Sequence, residues 1–312
     1  MTQKEILRLA IEIGVKNDLR GEESVRKYLA RQKEIFDKLS QDGKKEFDRE
    51  RLENPFMDSG VWVDNGQSMK KVLASVDVTS GDVMTAKALG FDGIINHHPL
   101  GKGLAMLDQA MHLQAEVLAN YGVPINVAES LMRPRISEVA RGVHAANHYK
   151  IVDAARLMNV NLMNIHTPAD NCVASFLKKE VEKKNPQYVG EILDILRGIE
   201  EYRISGERGV PVRLFSGSEE NRAGRIVFTE LTGGTEGAKN MYQELARAGA
   251  GTVVAMHLSE ESRKNAEEAH LNVVIASHIA SDSVGLNLIL DELEKKGVEV
   301  VPGGGLIRVK RK

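Results

Sequence analysis

Short apolar runs that end at a polar residue constrain the fold of this chain more than any other feature of its sequence. They occupy residues 71–76, 93–96, 161–165, 252–256 and 272–277. Each run has the length of a buried strand, and helical patterns follow several of them. Alternating strands and helices are typical of β-α units and of sheets with parallel or mixed strands. The sequence therefore predicts an α/β fold.

Histidines stand directly after four of these runs. They are His97 and His98, His166, His257 and His278. Pro99 excludes the first pair from a helix interior and biases His98 towards an extended backbone, which places both imidazoles at the mouth of a strand. Open α/β sheets build their binding sites beyond the carboxyl ends of their strands. We therefore expect these imidazoles to gather beyond the strand ends.

Two of the histidines have an aspartate four residues further on. Asp170 follows His166, and Asp282 follows His278. Neutral imidazole and carboxylate are ligands suited to Zn, Fe, Mn or Co, so the three clusters predict a metal site. The alternatives for each single cluster are N-capping by the aspartate and a core or surface role for the histidine. The agreement of all three clusters at strand ends favours metal.

The order of the motifs predicts two similar lobes with mixed sheets flanked by helices. Strand, helix, strand and histidine follow one another between residues 77 and 98 and again between residues 249 and 282. Residues 58–175 are predicted as the first α/β lobe and residues 226–312 as the second lobe, which completes the metal site. Residues 176–225 are interpreted as a solvated connecting helix and loops. Residues 1–57 carry the pattern of two amphipathic helices and are predicted as an N-terminal helical extension.

Composition excludes several classes of function. The formal net charge is −2 and only 14 residues are aromatic, which argues against a nucleic-acid-binding surface. Cys172 is the only cysteine, so an intrachain disulfide framework and a cysteine-rich zinc site are both excluded. The sequence has neither a signal-peptide pattern nor the ~18 to 20 consecutive apolar residues of a membrane span. A cytoplasmic protein is expected.

Four runs of this sequence resemble a known family. They are Asp77-Val78-Thr79, Gly93-Ile94-Ile95-Asn96-His97-His98-Pro99-Leu100, His166-Thr167-Pro168-Ala169-Asp170 and Ser277-His278-Ile279-Ala280-Ser281-Asp282. Together they are similar to the NGG-interacting-factor-three-like proteins, dinuclear metal proteins often labelled GTP cyclohydrolase I type two. The His-His-Pro run after an apolar strand is the most specific of them. The resemblance covers roughly residues 57–309 and leaves out the N-terminal helices.

The resemblance implies a two-lobed α/β fold, assembled as a ring-like homo-oligomer, a hexamer, with metal pairs facing an internal cavity. Five residues of this chain match the family's metal ligands: His97, His98, Asp170, His278 and Asp282. His166 matches a histidine near the site. This chain departs from the family's pattern at Asp282, where a glutamate is usual, at Ser277, and at Met256-His257, where relatives tend to have Gly-Asp.

These observations lead to two hypotheses of function. The first is a dinuclear metal-dependent hydrolase that acts on a nucleotide or another small phosphorylated or heterocyclic substrate through a metal-activated water, with His166 or His257 shuttling the proton. The second is a non-catalytic metal-binding or partner-binding protein for storage, sensing or assembly. Asp77 either orients a ligand imidazole or caps the following turn, and capping is the favoured interpretation.

Overall fold

Two mixed sheets, each packed against helices, form the two lobes of the computed structural model, which describes residues 1–311. The strands are β1 (Gly60–Val63), β2 (Lys71–Ser75), β3 (Gly93–Asn96), β4 (Asn161–Asn164), β5 (Arg213–Ser216), β6 (Arg225–Phe228), β7 (Ala250–Ala255), β8 (Asn272–Ile275) and β9 (Glu299–Gly303). The helices are α1 (Gln3–Lys16), α2 (Glu22–Lys38), α3 (Gln41–Glu46), α4 (Ser80–Ala88), α5 (Gly101–Ala105), α6 (Leu107–Ala110), α7 (His112–Asn120), α8 (Ile125–His144), α9 (Lys150–Met158), α10 (Thr167–Lys184), α11 (Val189–Arg197), α12 (Glu200–Glu207), α13 (Met241–Arg247), α14 (Glu260–Glu268) and α15 (His278–Lys295), with a 3-10 turn at Arg49–Leu52.

The two sheets share one topology over four strands, and β9 adds a fifth strand to the first sheet. The first has the strand order β1-β4-β3-β2-β9, in which β1 is antiparallel to β4 and the other pairs are parallel. The second has the order β5-β8-β7-β6, in which β5 is antiparallel to β8 and the other pairs are parallel. The prediction of two similar lobes with mixed sheets is therefore confirmed.

The central strands are apolar on both faces because helices cover both faces. Ile94 and Leu162 pack on the side of α4 and α9, whereas Ile95 and Met163 pack on the side of α1, α10 and α15. Side chains alternate between the two faces of a strand, so a strand buried on both sides reads as a continuous apolar run. This explains why the sequence pattern located β2, β3, β4, β7 and β8.

Strand β9 joins the first sheet although it lies within the residues assigned to the second lobe. It pairs in parallel with β2, from Lys71 opposite Glu299 to Ser75 opposite Gly303. Strand β5 belongs to the second sheet although it lies within residues 176–225. The membership of the sheets therefore does not follow the predicted boundary at residue 226.

Helices α11 and α12 are not a solvated connection. Val189, Ile192, Leu193 and Leu196 of α11 are fully buried, and Tyr202 of α12 is 1% exposed. Most of the charged residues of each helix lie on its outer face, which is exposed, and the apolar residues lie on its inner face, which is buried. The interpretation of residues 176–225 as solvated was therefore wrong for both helices.

The N-terminal segment contains the two predicted helices, α1 and α2, followed by α3 and the 3-10 turn. Helix α1 is part of the first lobe's core, since Ile6 and Ala10 are fully buried under the first sheet. A Cβ on Gly14 would lie 2.6 Å from the Cα of Pro168, so α1 approaches the first turn of α10 closely. The segment predicted as an extension therefore supports the helix that carries Asp170. Within residues 1–311, no helix is both long enough and apolar enough to cross a membrane.

Candidate metal centre

The polar residues predicted to gather at strand ends come from both lobes. His97 and His98 follow β3, and His166 ends the connection from β4 to α10. Asp170 lies in the first turn of α10, whereas His278 and Asp282 lie at the beginning of α15. Helices that start directly after their strands place these side chains at the carboxyl ends of the sheets.

A glycine contact brings the two aspartates together. A Cβ on Gly285 of α15 would lie 2.2 Å from the carbonyl oxygen of Ala169 in α10, so the two helix backbones touch. As a result, both carboxylates reach one imidazole. His97 Nε2 lies 3.3 Å from Asp170 Oδ1 and 3.4 Å from Asp282 Oδ1.

Three further imidazoles surround these carboxylates. His98 Nε2 and His278 Nε2 each lie 3.4 Å from Asp282 Oδ2, and His166 Nε2 lies 3.8 Å from Asp170 Oδ2. Three groups can hold a metal ion, because their donor atoms lie within 4.8 Å of one another: His97 with His98 and His166, His98 with His278 and Asp282, and His97 with Asp170 and Asp282. All five residues predicted as ligands belong to these groups, and His166 joins them.

Three of the imidazoles are fixed through the nitrogen that points away from the cluster. His97 Nδ1 lies 3.0 Å from the carbonyl oxygen of Ile165, to which it donates. His98 Nδ1 lies 2.7 Å from Asp77 Oδ1, and His166 Nδ1 lies 2.8 Å from Asp58 Oδ2. A hydrogen bond at Nδ1 sets the tautomer and ring orientation, and leaves Nε2 as the donor atom for a metal.

Asp77 orients His98 and does not cap α4. The N-cap of α4 is Thr79, whose side chain accepts from the backbone N–H of Asp82, and Asp82 reciprocates. The capping interpretation of Asp77 was therefore wrong. The contact with His98, helped by the positive charge of that imidazole, holds the pKa of Asp77 below its ordinary value.

Sequence reasoning missed Asp58, which lies just before β1. Its carboxylate is fully buried and accepts from both His166 Nδ1 and the hydroxyl of Thr167, the latter at 2.6 Å. Burial opposes ionisation, but the hydrogen bonds from His166 and Thr167 outweigh it and lower the pKa of Asp58. The only local signal was the turn-like Asp-Ser-Gly run, which gives no indication of a partner 108 residues away.

The fold is similar to those of solved structures. A crystal structure of a NIF3 superfamily protein from Sphaerobacter thermophilus matches with a TM-score of 0.75 and 23% identity, covering 98% of this chain and 99% of that chain. The chain has the fold of this NIF3 superfamily protein. Reduced HcgD from Methanocaldococcus jannaschii matches at a TM-score of 0.50 and 17% identity, over 78% of this chain and 88% of that chain. No protein-family model and no curated protein matches the chain.

The match to the Sphaerobacter protein includes the N-terminal helices. A match to 98% of this chain includes most of residues 1–57, which the resemblance by motif left out. The NIF3-like fold of this chain therefore extends through α1, in agreement with the burial of Ile6 and Ala10 in the first lobe.

The donor atoms at the centre of this NIF3-like fold form ion pairs but no hydrogen bonds. His97 Nε2 and both carboxylate oxygens of Asp170 and of Asp282 are buried without a hydrogen bond, and His97 Nε2 lies 3.3 Å and 3.4 Å from the two carboxylates. A buried carboxylate without a hydrogen bond is costly unless a cation neutralises it. The nitrogen and oxygen donors fit divalent ions such as Zn, Fe, Mn or Co.

In the metal-free protein, protons on the histidines supply the positive charge. Burial disfavours the imidazolium of His97, but Asp282 and Asp170 outweigh burial and raise its pKa to about 10. Burial is likewise outweighed at His98 by Asp282 and Asp77, which raise its pKa to about 9. Burial also opposes ionisation of Asp282, yet His97 and His98 hold the pKa of this carboxyl below its ordinary value.

His257 lies beside the cluster and outside the three groups. It follows β7, which has in the second sheet the place that β3 has in the first. Its ring lies edge-on to His278, with the ring centroids 4.4 Å apart. Burial, with the neighbouring His278, lowers the pKa of His257 to about 4, so this imidazole is neutral at pH 7. Its Nδ1 is buried without a hydrogen bond.

We expect a rise in pH to lower the stability of the metal-free protein and to increase the stabilisation that a bound metal provides. The raised pKa values of His97 and His98 mean that their ion pairs stabilise the metal-free fold fully below pH 6.5, and that this contribution is lost as the pH rises through about 9 to about 10. Metal must displace these protons, so the gain in Tm from a divalent ion should grow between about pH 6 and about pH 8.

Thermal unfolding with and without Zn²⁺ across this pH range measures both trends. A metal-free Tm that rises between about pH 7 and about pH 9 would contradict the assigned ion pairs. A Zn²⁺-induced gain in Tm that is independent of pH would show that binding displaces no proton.

Proposed function

We propose that this chain binds two divalent metal ions at the His/Asp cluster and hydrolyses a nucleotide or another small phosphorylated or heterocyclic molecule. The proposal depends on the buried nitrogen and oxygen atoms of His97, Asp170 and Asp282 that have no hydrogen bond. The NIF3-like fold supports it, because the motif resemblance to that family implies a metal pair. The ring-like hexamer and the cytoplasmic location stay predictions.

The proposed ligands are His97, His98, Asp170, His278 and Asp282. Hydrogen bonds at Nδ1 aim His97 and His98 into the cluster through Nε2. Two divalent ions held there would lower the pKa of a water molecule to near neutrality and polarise the bond to be broken. Zn, Fe, Mn and Co all suit this ligand set.

We assign proton transfer to His166 and His257. Asp58 holds His166 with Nδ1–H outward, so Nε2 is the atom that faces Asp170 and exchanges a proton on the cluster side. His257 is neutral at pH 7 and its Nδ1 is unpartnered, so this atom is free to accept a proton. The two imidazoles lie on opposite lobes and approach the cluster from different sides.

The first experiment measures metal per chain by elemental analysis after purification without chelator or affinity metal. We expect about two ions per chain in the wild type and near zero in the double variant His97→Ala/His98→Ala. His144→Ala is the matched control, since His144 is an exposed histidine at the end of α8. Absence of metal even after reconstitution would overturn the site assignment.

The second step screens the metal-loaded protein against nucleotides, phosphoesters and cyclic amidines. Turnover that falls about 100-fold in His257→Gln, with metal content unchanged, would support the hydrolase and the role of His257. Stoichiometric metal without turnover on any of these substrates would instead favour storage, sensing or assembly.

A further inference from the structure

Ser277, the residue before His278, has an unusual backbone conformation. It lies between β8 and α15 with φ 30° and ψ 112°, and it is 3% exposed. Positive φ is disfavoured for a residue with a Cβ, and such a conformation persists only when the surrounding contacts impose it. The hydrogen bonds that hold it come from α12, a helix that carries none of the proposed ligands.

Ser205 of α12 holds the side chain of Ser277. The two hydroxyl oxygens are 2.8 Å apart, and Ser205 also donates to the carbonyl oxygen of Val210 at 2.8 Å. A hydroxyl has one hydrogen, so Ser277 must be the donor in the Ser277–Ser205 pair. Both serines are buried, so loss of either hydroxyl leaves a polar group without its partner.

Tyr202 of α12 fixes the other end of the same turn. Its hydroxyl lies 2.9 Å from Ser281 Oγ, and Ser281 in turn donates through its backbone N–H to the carbonyl oxygen of Ser277 at 3.0 Å. Ser281 Oγ also lies within hydrogen-bond distance of the carbonyl oxygens of Ala276 and Ser277. Helix α12 therefore holds the turn between β8 and α15 at two points.

His278 depends on this turn more than the other imidazoles do. Hydrogen bonds at Nδ1 fix His97, His98 and His166. The side chain of His278 is 38% exposed, and no residue of the described chain hydrogen-bonds its Nδ1. Its direction is thus set by the backbone of Ser277 and the first turn of α15.

We propose that Ser205 and Ser277 are positioning residues for His278. The hydroxyl pair holds Ser277 in its positive-φ conformation, and that conformation aims His278 Nε2 at Asp282 Oδ2, 3.4 Å away. Residues that orient a metal ligand typically change metal affinity by about 10- to 100-fold when they are replaced. The inference rests on the proposed metal site, and it assigns part of the affinity of that site to α12.

Three variants separate the effect of the Ser277 backbone conformation on metal affinity from the effect of its hydroxyl. Ser277→Ala keeps a Cβ and removes the hydroxyl, so the backbone relaxes and Co²⁺ affinity falls about 10-fold. Ser205→Ala removes the other half of the pair and has the same effect. Ser277→Gly also removes the hydroxyl, but glycine adopts positive φ readily, so it retains affinity within about threefold of the wild type.

The measurement is a Co²⁺ titration followed by visible absorption, which reports both affinity and ligand geometry, with Tm of the metal-free protein recorded for each variant. Ser216→Ala is the matched control, because Ser216 is a buried serine of β5 that donates to Leu271 and lies outside the cluster. It is expected to lower Tm and leave the Co²⁺ affinity and spectrum unchanged.

Two results would overturn the positioning role. In one, Ser277→Gly loses as much affinity as Ser277→Ala, which would show that the hydroxyl acts without the backbone. In the other, all three variants keep the affinity and spectrum of the wild type. If the wild-type protein binds no Co²⁺, both the proposed function and this inference fail. If the wild type binds Co²⁺ and only the variants behave as in these two results, the inference alone fails.

Discussion

Asp282→Asn is expected to weaken metal binding strongly. Asp282 is fully buried, and its two oxygens lie 3.4 Å from Nε2 of His97, His98 and His278. An amide keeps the shape but removes the negative charge that attracts the cation, and its NH₂ group cannot bind a metal. We expect the affinity for Zn²⁺ to fall by at least about 100-fold, measured by chelator competition.

Glu292→Gln is the control for the loss of one negative charge on α15. Glu292 lies on the same helix, is partly exposed and pairs with Lys295 at 2.6 Å. Its replacement should leave Zn²⁺ affinity within about twofold of the wild type, because solvent and salt screen an exposed charge. Retention of two ions by Asp282→Asn would remove Asp282 from the ligand set.

Gly285→Ala is expected to lower stability and metal affinity together. The added Cβ would lie 2.2 Å from the carbonyl oxygen of Ala169, so α10 and α15 must separate at their contact. Overpacking against backbone costs about 3 kcal/mol, or roughly 5 °C in Tm for a chain of this size. Separation of the helices also moves Asp170 away from Asp282, so Zn²⁺ affinity falls even at temperatures where the variant is folded.

Gly142→Ala is the matched control. Gly142 lies within α8, and an added Cβ there would meet no atom within 4 Å. Alanine favours a helix over glycine by up to about 1 kcal/mol, so this variant should be as stable as the wild type or slightly more stable. A Gly285→Ala variant with unchanged Tm and Zn²⁺ affinity would show that the helices yield without cost at this contact.

The sequence was sufficient to locate the strands near the cluster, because each is short, apolar and covered on both faces. The run at 93–96 coincides with β3, and the histidines after it occupy the strand end as predicted. Convergence of His97 and Asp170 could be anticipated because β3 and β4 are parallel neighbours, whose carboxyl ends lie at one edge of the sheet. Asp282 follows β8 of the second sheet, and it joins them through the contact between α10 and α15, which local pattern does not reveal.

Contacts between distant segments escaped prediction. Asp58 and His166 are 108 residues apart, and no local pattern marks a carboxylate that orients an imidazole across that separation. The support of α12 for Ser277 depends on serine and tyrosine hydroxyls, which occur widely on helices without partners. The burial of α11 and α12 was missed because residues 178–184 and 200–207 carry mixed charge, and that charge was taken as a sign of solvent for the whole segment.

The pairing of β9 with β2 has a consequence for how the chain reaches its native state. Until residues 299–303 leave the ribosome, β2 is an open edge whose backbone N–H and C=O groups are free to pair with another chain. The first-lobe sheet is thus completed only after the strands of the second sheet have been synthesised, so the first lobe cannot finish folding before the second lobe is made. During that interval the edge of β2 is exposed to pairing with other chains.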